Sequence, residues 1–595
     1  MLKVQDKAIG NRSNYVTEGF GLTFNEVKDK QIHYVNDWTI SVNGRHYTGE
    51  SVYDLMETLH QLKDEYKLKV RENGEKKFMF NKKEQSVVDK DILVIYTNQL
   101  WELHCYLKHY VTNEFKTDDG DYWYFQVLDN IEFRECWNDK LTEVDDISRW
   151  AQTFIDILFV KNKYFYLTPS QIMRKQIEKE CKKSKMFMAK DIFPSNNFLY
   201  NYIRSALFGG LCYCPFPDKV FDQPIVEFDI KSAYIFCFLM AHCISKGKTV
   251  NPKHYEAYIN NEKMLSIGRY VITYTSWSNK VKCYKNVNDE DCKKSEHGEA
   301  VTDEFIFTNI DLALFTQLTN VISIECKSLM EFKSGYIQKE VLDKVIEAFI
   351  KKESSDKDSG EYAVYKVILN SIYGNTIRDW DAAQLTEQRD DASLAPQWGI
   401  FITAYCKKLL LGCALQLDGW VYSDTDSIFC FDTKHNREII EEYNRKTRKQ
   451  LKDICDDLGY DFEKLKHLGE FMEEIRVKKF RAWKQKMYAL IDADPKRDED
   501  GNIMYDKDGN PIHELLITAA GCSMESRKEL TEEVFKEDSV PCGEKVIMKH
   551  SLNNEYETTI NGRTYKTPSS YVKRYGKDDE AKNTIGFLLS LDKGD

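Results

Sequence analysis

The chain has 595 residues, 42% of them hydrophobic and 30% charged, with 28 Gly and 11 Pro. That composition excludes a disordered or collagen-like chain, and at roughly 100–200 residues per domain it points to about three to five domains or subdomains. The formal net charge of −12 argues against a protein that coats nucleic acid through bulk charge alone.

No uncharged apolar run approaches the roughly 18–20 residues needed to span a bilayer. The opening MLKVQDKAIGNRSNY lacks the apolar segment of a signal peptide. The expectation is a cytoplasmic protein with no membrane partner. The 16 cysteines form no CxxC pair and read as reduced, packed thiols, and the 12 histidines form no HExxH pattern.

In chain order, the first 190 residues mix strand-like runs, such as DILVIYT at 91–97, with helical patterns, such as residues 101–110. That mixture suits an α/β or α+β domain. Two basic stretches, KQIEKECKKSK at 175–185 and RKTRKQLK at 445–452, read as solvated helix faces. A third, RVKKFRAWKQK at 476–486, is interleaved with Phe480, Trp483 and nearby Tyr488, the pattern of a stacking surface for nucleic acid. GKT at 247–249 lacks the upstream glycine of a phosphate loop, because His242 stands there. EDGN at 499–502 and KDGN at 507–510 read as Asp-Gly hairpin turns.

Three segments place polar residues where apolar ones should be buried. In IVEFDIKSAYIF (225–236) a strand runs into Asp229 and then turns towards a helix through Ser232 and Tyr234. EYAVYKVILNSIYGN (361–375) is a helical pattern stopped by Gly374, and its Lys366, Asn370 and Tyr373 share one face. GWVYSDTDSIFCF (419–431) reads as a β-hairpin whose tip bears Asp424 and Asp426, crowded on one face.

Two like charges about 4 Å apart repel by about 4 kcal/mol at an effective dielectric of 20, so such a tip calls for a cation. Carboxylates without Cys or His favour Mg²⁺ or Mn²⁺ over Zn²⁺. If Asp229 joins the hairpin, three carboxylates converge in the ligand set for two-metal phosphoryl transfer, with Lys366 offsetting phosphate charge.

These segments resemble motifs A, B and C of the family B DNA polymerases: DIKSAYI for motif A, KVILNSIYG for motif B and YSDTDS for motif C, followed by the family's K-x-Y as Lys486-Met487-Tyr488. The details look similar to the protein-primed subgroup of small bacteriophages. The 137 residues between Asp229 and Lys366 leave room for an inserted terminal-protein region, and FGGLCY (208–213) is similar to the subgroup's Y-x-G-G linker.

The resemblance implies an α+β right-hand polymerase with palm, fingers and thumb, preceded by an RNase H-like exonuclease-type α/β domain. The implied domains are 1–190 exonuclease-like, 191–262 palm with motif A, 263–335 inserted terminal-protein-region-like, 336–376 fingers, 377–530 palm with motif C and K-x-Y, and 531–595 thumb. Carried across, Asp229 and Asp426 bridge two Mg²⁺ ions, or Mn²⁺, with Asp424 in close support. Ser232 and Ala233 contact the triphosphate, and Tyr234 underlies the deoxyribose and blocks a 2′-hydroxyl. Lys366 and Asn370 bind the incoming nucleotide, and Tyr373 packs on the nascent pair. Gly209, Gly210, Ser371, Gly374, Thr425, Lys486 and Tyr488 line the primer and DNA.

The chain departs from the family in its N-terminal domain. A family B exonuclease needs D-x-E on its first strand, and none occurs in the first hundred residues; the best placement, GLTF at 21–24, is neutral at both ligand positions. Glu102 replaces Asp in the second motif and Asp146 ends a third motif that lacks its tyrosine. The expectation is an exonuclease fold without proofreading, serving as scaffold or holding single-stranded template. ASLAPQWG (392–399) reads as a short loop where the subgroup places its second insertion, so a helicase or single-stranded DNA-binding protein is an expected partner. The expected function is DNA-templated extension of a primer from dNTPs by a monomer, in replication of a phage or mobile element in a bacterial host. The alternative is a non-catalytic nucleic-acid-binding protein on a polymerase scaffold. Priming by a terminal-protein hydroxyl or by an RNA end stays open, as does a polymerase that makes its own primer or accepts ribonucleotides.

Overall fold

The computed structural model describes residues 14–16, 18–24, 37–68, 70–80, 83–99, 103, 130–136, 141, 143–156, 169–183, 197–259, 261, 263–276, 298–357, 359–377, 395–498, 501–519, 531–536, 547–560, 563–574 and 582–587. The chain divides into two compact units. The first comprises Met1–Pro169, Lys352–Val367 and Val546–Asp595; the second comprises Ser170–Lys351 and Ile368–Lys545.

In the first unit Phe20–Phe24 pairs antiparallel with Trp38–Val42, which continues to Arg45–Gly49, and runs parallel to Lys83–Thr97. Ile131–Glu135 adds a parallel strand on the other side of Lys83–Thr97. Alternation sends Phe20, Leu22 and Phe24 to a core with Trp38, Ile40, Leu55, Leu59 and Ile95. Gly19 and Gly21 face the other way, towards the helix Val144–Phe154. Ser148 Oγ donates to the Gly19 carbonyl at 2.7 Å, and the Gly19 N–H donates to Gln152 Oε1 at 2.8 Å. This mixed sheet is the exonuclease-type α/β arrangement expected from the sequence. The expected helix at 101–110 lies outside the described residues apart from Leu103. The Val546–Asp595 stretch contains three antiparallel strands, Ile547–Ile560, Arg563–Arg574 and Lys582–Phe587.

The second unit is built on an antiparallel sheet in the order His513–Ala519, Met487–Pro495, Phe471–Lys484, Ile225–Ile230, Ser427–Phe431, Tyr422–Thr425, Leu211–Tyr213. Ile225–Ile230 is therefore central, which is why Ile225, Val226, Phe228 and Ile230 are buried. Helix Pro396–Ala414 packs against helix Ala233–Leu239. Residues 264–335 form a second sheet from Met264–Ser276, Val301–Thr308 and Thr319–Gly335 around helix Asn309–Leu318. GKT falls here, with Lys248–Val250 an edge strand of that sheet. Among the described residues no helix is long and apolar enough to cross a membrane.

Four local expectations are corrected. Helix Gly360–Ile377 runs through Gly374, because Asn375 and Thr376 beyond it are buried and their packing outweighs the glycine's entropic cost of about 1 kcal/mol. PQWG is the first turn of helix Pro396–Ala414, with proline at its favoured start, and is no loop. Phe480 is fully buried against Tyr422 and Phe429, so it supports the sheet and cannot stack on a base. Within RKTRKQLK, Arg445 and Lys446 pair with Glu442 on the surface, as a solvated face should, but Arg448 reaches the buried Glu470. The two Asp-Gly turns are present, with Gly501 and Gly509 at φ +83° and +82°.

His242 yields a pH prediction. It is fully buried between Phe238 and Tyr405; Nε2–H donates to the Cys237 carbonyl at 2.8 Å and Nδ1 has no partner. Burial lowers its pKa from 6.5 to about 4. A depressed folded-state value means the stability it contributes is present above about 6.5 and is lost as pH falls through 4, roughly 3 kcal/mol in all. Thermal denaturation of wild type and His242→Gln between pH 7.5 and 4 should show the acid limb flattened in the variant; identical slopes would refute this.

Candidate active site

Asp229 is the penultimate residue of the central strand and Asp426 sits in the adjoining hairpin turn. Asp229 is paired in register with Ser427, and the Ile230 N–H donates to the Asp426 carbonyl at 3.0 Å. The turn is tight: Thr425 adopts φ +64° and the Asp426 N–H donates to the Asp424 carbonyl at 2.7 Å. Burial pushes the Asp229 carboxyl up, and the charge of Asp426, then of Glu474 and Glu227, adds to it. Burial and then Asp424 push Asp426 up as well. Neither forms an ion pair with a described residue.

Asp424 is close but differently engaged. The left-handed Thr425 interrupts regular strand geometry between Asp424 and Asp426, and Asp424 is still the charge that acts most on Asp426. Asp424 Oδ1 accepts from Cys212 Sγ and Thr425 Oγ1, each at 3.0 Å, and meets Lys486 Nζ at 3.3 Å. Asp424 is thus tethered beside Asp229 and Asp426. Among the described residues no three of His, Cys, Asp and Glu form a metal cage. Mg²⁺ does not need one: it is commonly held by one or two carboxylates with substrate phosphates completing the shell, and an aspartate pair with no direct ion pair to a described residue fits that chemistry.

The remaining residues singled out in this unit stand as follows. Ser232 has φ +50° and opens helix Ala233–Leu239, with Ala233 buried beneath it. The Tyr234 ring lies 4.6 Å from the Tyr373 ring. Asn370 and Gly374 are exposed on the same helix, and Ser371 Oγ donates back to the Ile368 carbonyl. Lys486, at φ +59°, donates its N–H to the Tyr422 hydroxyl at 2.7 Å, while the Tyr488 ring packs on Tyr422 and Phe429. Gly209 precedes strand Leu211–Tyr213; Gly210 lies so close to Thr425 that a Cβ would stand 2.6 Å from Thr425 Cγ2. Lys366 is exposed, with Nζ 6.0 Å from the Tyr362 ring, and belongs to the first unit.

Asp146 is on the surface of its helix, paired with Arg149, and Glu102 lies outside the described residues. Sequence reading missed Cys212, whose thiol holds Asp424 and whose carbonyl accepts from Gln485 Nε2 at 2.6 Å. It also missed Glu227, pushed up to about 7 by burial and Glu474. Period 2 along EFD already put Glu227 on the face of Asp229.

The second unit thus carries an antiparallel sheet with two aspartates at one end, and the first a mixed α/β sheet. Residues 158–391 match the family profile described as DNA polymerase type B, organellar and viral. The fold is that of phage phi29 DNA polymerase. Its complex with primer-template DNA matches with a TM-score of 0.56 at 16% identity, covering 94% of this chain and 100% of that one. Its ternary complex with primer-template DNA and incoming nucleotide matches with a TM-score of 0.52 at 14% identity, covering 93% and 99%. No curated protein matches by sequence. The resemblance to family B read in the sequence is thus borne out, by the profile over 158–391 and by the fold over nearly the whole chain.

Proposed function

We propose that the chain is a DNA-directed DNA polymerase that extends a primer on a DNA template. The observation that carries this reading is the Asp229–Asp426 pair, brought together at the end of the palm sheet and held above the usual carboxylate range by burial and neighbouring acids, with Lys486 only partly offsetting Asp426. In the reaction the primer 3′-oxygen forms a bond to the α-phosphorus of a dNTP, the bond to the β-phosphate breaks, and pyrophosphate leaves with the displaced electron pair. Asp229 and Asp426 would hold Mg²⁺, which supplies charge neutralisation on the phosphates and a lowered pKa for the attacking hydroxyl. Ser232 and the backbone beside it receive the triphosphate, Tyr234 and Tyr373 form a wall against the sugar and the new pair, and Lys486 and Tyr488 hold the primer end. These contacts read shape and backbone rather than base identity.

Primer extension with Mg²⁺ and labelled dNTPs tests the reading; an inert wild type would overturn it and leave a nucleic-acid-binding protein. The wall predicts that Tyr234→Ala admits a 2′-hydroxyl, raising ribonucleotide relative to deoxynucleotide incorporation roughly 10–100-fold, read by competitive extension. Unchanged discrimination would remove Tyr234 from the gate.

The reading extends to replication of a phage or mobile element, with priming by a terminal-protein hydroxyl and without proofreading. The first two rest on the likeness of the sequence motifs and of the FGGLCY segment to the protein-primed subgroup. Loss of proofreading rests on the neutral Gly21 and Thr23, one of which is sterically blocked. A helicase or single-stranded DNA-binding protein would assist the enzyme on duplex template.

A further inference from the structure

The long helix Lys434–Leu458, which no part of the chemistry uses, is tied to the motif A turn through one short loop. The loop, residues 467–471, has left-handed residues at His467 (φ +73°) and Gly469 (φ +83°). On one side it docks onto Lys231: the Lys231 N–H donates to the Glu470 carbonyl and the Gly469 N–H donates to the Lys231 carbonyl, each at 2.9 Å. Lys231 lies between Asp229 and the left-handed Ser232, so these two bonds fix the peptide that sets the turn. Gly469 also packs under the next helix, where a Cβ would stand 2.5 Å from Phe236 Cγ.

On its other side the loop is held by three residues on one face of the long helix. Tyr443 OH donates to the Gly469 carbonyl at 3.4 Å. The Asn444 amide, 6% exposed, accepts from the Phe471 N–H at 2.8 Å and donates to the Phe471 carbonyl at 2.9 Å. Arg448 makes a two-pronged pair with Glu470, Nε to Oε1 at 3.0 Å and Nη2 to Oε2 at 2.7 Å, with Glu470 only 2% exposed. A bidentate guanidinium–carboxylate pair fixes orientation as well as distance.

Resting on the polymerase reading, we propose that Arg448, Asn444 and Glu470 are positioning residues for the incoming nucleotide: they hold the 467–471 loop in the shape that sets the Lys231–Ser232 turn and, one helical step on, Tyr234. None of the three touches substrate. A turn that receives a triphosphate must be set before the nucleotide arrives, because ordering it on binding would be subtracted from affinity. Displacement by about 1 Å is enough to matter.

The test uses the full chain with a template and a dideoxy-terminated primer, so that dNTP affinity is read without chemistry, alongside KM and kcat on an extendable primer. The double variant Arg448→Ala/Glu470→Gln removes the pair without stranding a buried charge, and Arg448→Lys keeps the charge but loses the fork. We expect dNTP affinity to weaken and KM to rise about tenfold in the double variant, with kcat within about threefold and primer-template affinity unchanged, and Arg448→Lys to recover part of the loss. Should the double variant fail to fold, the same two affinities of Arg448→Lys decide. The clamp is overturned if dNTP affinity stays within twofold of wild type, or if dNTP and primer-template affinity fall together. A wild type that binds dNTP but never extends sinks the polymerase reading and leaves the clamp standing; one that binds no dNTP sinks both.

Discussion

Asp229→Asn is expected to abolish primer extension, with a loss of at least about a thousandfold, and at the same time to make the metal-free protein more stable. Both effects follow from one geometry. The Asp229 and Asp426 carboxyls are half-buried, one on the central strand and one in the adjoining turn; burial and then Asp426 push Asp229 up, and burial and then Asp424 push Asp426 up. Without a cation their repulsion is stored in the fold, and an amide of the same shape relieves it. With Mg²⁺ the sign reverses, since a ligand that binds only the folded chain stabilises it by RT ln(1 + [L]/Kd), about 2.7 kcal/mol at one hundred times Kd. Differential scanning fluorimetry should therefore show a wild-type midpoint that rises with Mg²⁺ over EDTA, and a variant that starts higher and responds less. The activity loss is of the size expected when an electrostatic contact made in the transition state is removed. A variant that keeps activity, or is less stable in EDTA, would show that this pair is not the metal-holding centre.

The core of that centre was legible because its chemistry is local. IVEFD had to be a buried strand ending in a carboxylate, and YSDTDS had to be a hairpin; the sheet register then brings Asp229 beside Asp426 without further information. The tether on Asp424 was not legible, since it comes from Cys212, 212 positions away, whose thiol donates to one carboxylate oxygen. Gly374 misled for a related reason. Its local preference ends helices, but buried Asn375 and Thr376 carry the helix on, and burial is a tertiary fact. The basic run at 445–452 shows the limit of charge patterning: Arg445 and Lys446 face solvent as the pattern implies, whereas Arg448, on the same helix, is committed to Glu470. Nothing in the spacing of RKTRKQLK distinguishes them.

The second large effect is expected in the first unit, where placing an exonuclease-type carboxylate on strand Phe20–Phe24 should fail. The placement of GLTF makes Gly21 the position at which the family carries the first Asp of D-x-E, so Gly21→Asp is the obvious attempt to revive proofreading. Gly21 is on strand Phe20–Phe24, facing helix Val144–Phe154, and a Cβ there would lie 2.6 Å from the Val144 carbonyl oxygen and 2.7 Å from the Ser148 nitrogen. Both are backbone atoms, so no rotamer change makes room. The neighbouring contacts reinforce the closeness, since the helix is fastened to Gly19 by both Ser148 and Gln152. An aspartate would have to push the helix off the sheet, at a cost of about 1–3 kcal/mol for overpacking and several more for an unpaired buried charge. Gly21→Asp should therefore give no 3′-exonuclease activity on single-stranded DNA and should lower the midpoint of this unit's unfolding, seen as faster proteolytic cleavage within residues 1–169. Gly21→Ala, which adds the Cβ without the charge, should show the steric part alone. If Gly21→Asp folds as wild type and degrades primer ends with Mg²⁺, the helix is not seated as described and packing does not keep a carboxylate out of this position.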